Sequence, residues 1–133
     1  RQQDRLVLGA REFERFGALI VNKVNREYCK KLIVMFSEQH HPAHHHVKKE
    51  EVFELLSGDC VLTIDGVTHH LRRGSPVLIP RGSVHSFTTE EGCIVEEVST
   101  THLQGDSIYV DPRIFKLSTA ERKIKARFAS SSR

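Results

Sequence analysis

The sequence predicts an all-β domain, a sandwich or small barrel of about eight short strands. From residue 18 onward, runs rich in Val, Ile, Leu and Phe are punctuated by Gly, Pro, Asp and Ser at intervals of about 8–12 residues. Helical signals are confined to the two ends. With 133 residues, 38% of them hydrophobic and 28% charged, the chain has material for one core and lacks the charge bias of a disordered polymer.

The strand-like runs are, in order, 18–24, 31–36, 52–56, 60–64, 67–71, 76–79, 84–88 and 93–98. Ser57-Gly58-Asp59 separates the third run from the fourth. Asp65-Gly66 lies between two runs and is a strong hairpin signal, because a two-residue type I′ turn needs φ > 0 at both positions. Gly74-Ser75 and Pro80-Arg81-Gly82 turn the chain on either side of 76–79. A short turn is expected over 11–15. Ser118 with Glu121 three residues later has the form of a capping box, which predicts a basic helix ending near Phe128. Residues 129–133 read as a disordered tail. The implied division is an N-terminal extension and pairing strand over 1–27, a barrel over 28–112 and a basic tail over 113–133.

Charge and composition exclude several classes. From Arg113 onward seven basic residues face one acid, a net +6, so the remainder carries −3 of the total +3. A basic tail on an acidic body is not the basic face, interleaved with aromatics, of a nucleic-acid reader. The longest apolar run, 32–36, is five residues, against about 20 needed to span a bilayer. The N-terminus has no apolar signal segment. Cys29, Cys60 and Cys93 are dispersed and odd in number, which suits buried thiols in a reducing, cytoplasmic setting. The first residue is Arg rather than Met, as in a processed chain or a domain cut from something longer.

Histidine is the outlying feature: there are nine, and His40, His41, His44, His45 and His46 fall within seven positions. On a strand, residues two apart share a face, so His44 and His46 point the same way and begin a metal site. Residues 47–50 can turn the chain, leaving Glu50 or Glu51 to open the next strand. Glu51 shares a face with Phe53 and Leu55, whereas Glu50 shares one with Val52, Glu54 and Leu56. A barrel interior avoids a second unpaired carboxylate, which favours Glu51. His85, two residues before the inward-suited Phe87, is the natural fourth ligand. His40, His41, His45, His69, His70 and His102 read as surface or core residues, with His40 or His41 a candidate for the mouth of the site.

These residues resemble the cupin superfamily. His44-x-His46, four residues, Glu51, six residues and Gly58 match its first motif. Gly74, five residues, Pro80-x-Gly82, two residues and His85 match its second. Two positions depart: Glu38 stands where the family has a glycine, and Thr89 where it has an asparagine. The resemblance spans about residues 30–100 and implies a jelly roll, the double-stranded β-helix, with a short N-terminal extension and a C-terminal basic helix or tail. The segment from Val95 through Ser99-Thr100-Thr101-His102 to Tyr109-x-Asp111-Pro112 is similar to sugar-isomerase-like cupins, including D-lyxose isomerase and the cupin part of mannose-6-phosphate isomerases. Residues 16–31 look like cupin domains attached to sialic acid synthase-type proteins.

Three imidazoles and a carboxylate suit one divalent metal ion, Mn, Zn, Fe or Ni, and no thiolate favours Cu(I). Four protein ligands on an octahedral ion leave two adjacent positions, enough for a hydroxyl and carbonyl of one sugar, with the metal stabilising an enediolate. The resemblance implies aldose–ketose isomerisation of a sugar or sugar acid. It places Glu97 as the base, although strand alternation favours Glu96, which shares a face with Ile94 and Val98. Lys48 and Lys49, beside the ligands, and Arg81, before His85, read first as solvated turn residues and second as cations steering an anionic group to the mouth. Lys49, Arg81 and Tyr109 are the candidate substrate-binding residues, with Tyr109 and Asp111 placed to close over the site. The alternatives are a non-catalytic sugar-binding or regulatory domain of a larger synthase-type protein, and an Fe(II) dioxygenase. The apolar segment 11–24 predicts a homodimer through edge pairing.

Overall fold

The computed structural model describes residues 18–115 and 124–127. Its elements are β1 (Leu19–Asn25), β2 (Tyr28–Met35), β3 (His40–His46), β4 (Glu51–Gly58), β5 (Val61–Ile64), β6 (Val67–His70), β7 (Val77–Ile79), β8 (His85–Thr88), β9 (Cys93–Thr100), β10 (Ser107–Tyr109), a one-turn helix α1 (Pro112–Phe115) and β11 (Ile124–Arg127). They form two facing sheets, ordered β11-β1-β2-β9-β4-β7 and β10-β3-β8-β5-β6. Every pairing is antiparallel except β1 with β11. This is the predicted jelly roll. No helix among the described residues is long and apolar enough to cross a membrane.

Strand alternation builds the interior, because successive side chains point to opposite faces. Across β2-β9-β4 the inward rungs are Ile33–Val95–Leu55, then Lys31–Glu97–Phe53, then Cys29–Ser99–Glu51. The first is wholly apolar and joins Ile20, Met35, Leu62, Ile79 and Phe87 in the core. The last is wholly polar apart from the thiol. One sheet face therefore changes character along its length, and the functional groups lie at its polar end.

The turns follow the sequence closely. Asp65 (φ 47°) and Gly66 (φ 84°) make the expected hairpin between β5 and β6. Gly58 (φ +83°) is required twice over: a Cβ there would stand 2.0 Å from the carbonyl oxygen of Gly92. The neighbouring turn is tied by Asp59, which accepts hydrogen bonds from the amides of Glu90 (2.9 Å) and Glu91 (2.9 Å) and from the Thr89 hydroxyl (3.2 Å). Thr89 in turn accepts from the Gly92 amide at 2.8 Å. The two backbone donors hold the Asp59 carboxyl below its ordinary value. A depressed carboxylate contributes stability above its unfolded pKa, near 3.9, and loses it as pH falls through the folded value. Asp59→Asn is therefore expected to destabilise the protein at pH 7 and to flatten its loss of stability below about pH 4. Urea midpoints between pH 2.5 and 7 test this.

Three expectations are corrected or extended. The basic helix does not reach Phe128: Ile124–Arg127 is a strand, paired in parallel with β1. Its sequence, Ile-Lys-Ala-Arg, alternates apolar and basic residues, as a strand allows; the capping-box signal at 118–121 lies outside the described residues. The pairing strand is closed within its own chain, since β1 bonds β2 on one side and β11 on the other. The turn at 11–15 and the apolar stretch before 18 lie outside the described residues. Finally, β10 was not legible, being three residues after a turn, and it proves to flank the histidine strand.

Candidate metal centre

β3 carries the histidines, and its register is broken between His41 and His44. Such a bulge resets which residues face inward, and Pro42, which has no amide hydrogen to donate, suits the break. The result is that His41, His44 and His46 are all buried, whereas strict alternation would have turned His41 outward. β8 pairs His85 directly with His44. β4 brings in Glu51, which is 2% exposed.

The four side chains converge. Ring nitrogens of His44, His46 and His85 lie within 4.8 Å of one another. Glu51 Oε2 stands 3.2 Å from His46 Nε2 and 3.1 Å from His85 Nε2. Each imidazole is oriented through its other nitrogen: His44 Nδ1 donates to the Pro42 carbonyl (3.0 Å), His85 Nδ1 donates to the Ser83 carbonyl (3.0 Å), and His46 Nδ1 meets the Ser107 hydroxyl (3.2 Å). A carbonyl only accepts, so Nδ1 of His44 and His85 carries the proton and a neutral ring keeps a lone pair on Nε2. Burial, with the neighbouring His41, His85 and His46, pushes the His44 pKa well down and keeps that ring neutral.

Two buried side-chain atoms among the described residues lack a hydrogen-bond partner, and they are Glu51 Oε2 and His85 Nε2. A carboxylate oxygen facing an imidazole lone pair is satisfied only by a positive charge on or between them. Burial works to raise the Glu51 carboxyl, but positive charge or an N–H donor facing it on the His46 and His85 side, with the Lys49 ammonium, outweighs burial and holds the group well below the usual range. Three nitrogens and one carboxylate oxygen, each braced by an outer partner, fit a divalent cation.

Glu97 is 5% exposed and faces inward with Cys93, Val95 and Ser99. Glu96 lies on the outer face, where it pairs with Lys30 at 3.0 Å. The alternation argument for Glu96 fails because Cys93 and Val95, not Ile94 and Val98, are the core side of β9. Lys49 departs from the solvated-turn expectation: it is 3% exposed, with Nζ 2.8 Å from Glu97 Oε2 and 3.7 Å from Glu51 Oε1. Burial alone would lower its pKa, but Glu97 and Glu51 raise it, so the ammonium stays charged. Tyr109 is buried and stacks on His44, with centroids 5.0 Å apart. Arg81 is exposed and engaged at the surface, with Nη1 3.0 Å from Glu50 Oε1 and Nε donating to the Lys48 carbonyl at 2.9 Å.

Lys31 and Asp106 escaped the sequence reading, and His41, a candidate for the mouth, lies in the wall of the site. His41 stacks on Phe87 at 4.6 Å, filling the wall behind His44. Lys31 is buried, in phase with Ile33 and Met35, a signal that counting by two from the core would have found. Asp106 anchors the ligand turn by accepting the amides of Val47 (3.1 Å), Lys48 (3.0 Å) and Lys49 (3.1 Å). Asp106→Asn turns a donor toward those amides, and a cost of about 2 kcal/mol is expected. Its measure is the shift in denaturation midpoint.

The sequence profile described as a Cupin domain matches residues 32–99. The chain is a cupin. It is 30% identical to a D-lyxose ketol-isomerase of Thermofilum sp. (strain ex4484_79), over 77% of this cupin and 73% of that protein. Among solved structures, L-ribose isomerase of Cellulomonas parahominis with L-ribose superposes at TM-score 0.72 and 16% identity, covering 87% of this chain and 78% of that one. The cupin spans about half of a protein from Acidithiobacillus ferrooxidans ATCC 23270, covering 58% of itself and 52% of that chain at 22% identity and TM-score 0.52. Both departures from the family pattern are accommodated. Glu38 lies in the left-handed backbone region that favours glycine (φ 64°), and Thr89 ties its turn with its hydroxyl.

Proposed function

We propose that this cupin is a divalent-metal-dependent sugar isomerase that interconverts an aldose and a ketose. The observation that carries the reading is a buried carboxylate, Glu97, held by one lysine beside the carboxylate of the cation-suited cluster. The similarity to a protein named D-lyxose ketol-isomerase supports it. His44, His46, Glu51 and His85 would hold the cation, which when bound would act as a Lewis acid on adjacent sugar oxygens. Glu97 removes the proton from the carbon next to the carbonyl and returns it to the former carbonyl carbon, while the proton of the neighbouring hydroxyl passes to the former carbonyl oxygen. Tyr109 and His41 contribute the wall behind His44.

The test is NMR in D₂O with Mn²⁺-loaded protein and a panel of aldoses that includes D-lyxose and L-ribose. Conversion with deuterium entering next to the carbonyl is expected for at least one sugar. One bound equivalent of metal with neither conversion nor exchange on any aldose would instead leave a binding domain.

A further inference from the structure

We propose that Lys49 is a positioning residue that ties the carboxylate ligand Glu51 to the base Glu97, an assignment that rests on the functional reading above. The two oxygens of Glu51 face different partners. Oε2 meets the His46 and His85 ring nitrogens at 3.2 and 3.1 Å, whereas Oε1 meets Lys49 Nζ at 3.7 Å. The ammonium also reaches Glu97 Oε2 at 2.8 Å and His102 Nδ1 at 3.3 Å. Its own place is fixed from behind, because the Lys49 amide donates to Asp106 and the backbone of His102 is clasped by Asn25 at 2.8 and 3.1 Å.

Two consequences follow from this geometry. With Oε1 turned toward a fixed ammonium 3.7 Å away, Glu51 presents a single oxygen to the imidazoles, which would leave more of a six-coordinate ion open than a two-oxygen grip. The same ammonium restrains Glu97 to one orientation beside the site, as a general base requires. A buried lysine hydrogen-bonded to one carboxylate and an imidazole, and 3.7 Å from a second carboxylate, is poorly placed to meet an incoming anion, so the positioning role replaces the steering role expected at the mouth.

The test uses the full chain and Zn²⁺ alone, with affinity measured by chelator competition, so it needs no sugar turnover. Lys49→Met combined with Glu97→Gln removes both charges together and strands neither in the interior, which protects folding. Relative to Glu97→Gln alone, the double variant is expected to bind Zn²⁺ about tenfold more weakly, the usual effect of losing an outer partner of a metal ligand. Lys49→Arg, which keeps the cation, is expected to stay within about threefold of the parent. Equal Zn²⁺ affinity in the double variant and Glu97→Gln, or an Arg variant as weak as the double variant, overturns the assignment. Absence of conversion of every aldose by the parent protein would remove the isomerase reading and leave the Zn²⁺ result standing.

Discussion

Glu97→Gln is expected to lower the rate of isomerisation by about 10³-fold while the protein still takes up one equivalent of metal at saturation. The size follows from what the substitution removes. Glutamine keeps the volume of the side chain and an oxygen able to accept from the Lys49 ammonium, 2.8 Å away, so packing on the Lys31–Glu97–Phe53 rung is preserved. It cannot accept a proton from carbon, and positioned general bases contribute about 10²–10⁴-fold. The polar partner of the Glu97 carboxylate is Lys49 and not one of the four proposed ligands, which is why metal content and rate should separate. A loss below about tenfold would mean that another group moves the proton. Steady-state kinetics alongside elemental analysis gives both readouts on one preparation.

His46→Ala is expected to lower bound metal well below one equivalent and to abolish the stabilisation that metal gives the parent. His46 reaches the cluster from β3, with Nε2 facing Glu51 and Nδ1 braced by Ser107. Its loss leaves the Glu51 carboxylate facing one ring fewer in a dry interior. In the parent, a cation at 100 times its dissociation constant stabilises the fold by about 2.7 kcal/mol, provided the unfolded chain does not bind it. For a domain of this size that is a rise in Tm of about 10 °C, reversed by a chelator. The variant should melt at one temperature with or without chelator. A metal-dependent rise equal to the parent's would remove His46 from the ligand set.

The fold was largely legible because its signals are local. Short apolar runs, the Asp65-Gly66 hairpin and the Gly and Pro spacings each report the conformation of a few adjacent residues, and eight of the strands lie where those runs predict them. The histidine spacing likewise pointed to His44 and His46 on one face. What local reading missed depends on pairing between distant segments. β10 is too short to stand out until it is set against His44, His45 and His46. β11 is recognised as a strand only through β1, about a hundred residues earlier. The inward turn of His41 needs a register break that no spacing rule contains.

By itself, then, the order of residues pointed to an all-β sandwich or small barrel and to its turns, while the resemblance to the cupins implied the jelly roll and, with strand alternation, the candidate ligands His44, His46, Glu51 and His85. Only the tertiary structure decided that Glu97 rather than Glu96 faces inward, and that Lys49 lies buried between two carboxylates instead of in solvent. The physical reason is one of range. Which face of a strand is inside depends on what the opposite sheet places against it. Whether a lysine can leave water depends on two carboxylates from β4 and β9 arriving within reach of the same nitrogen.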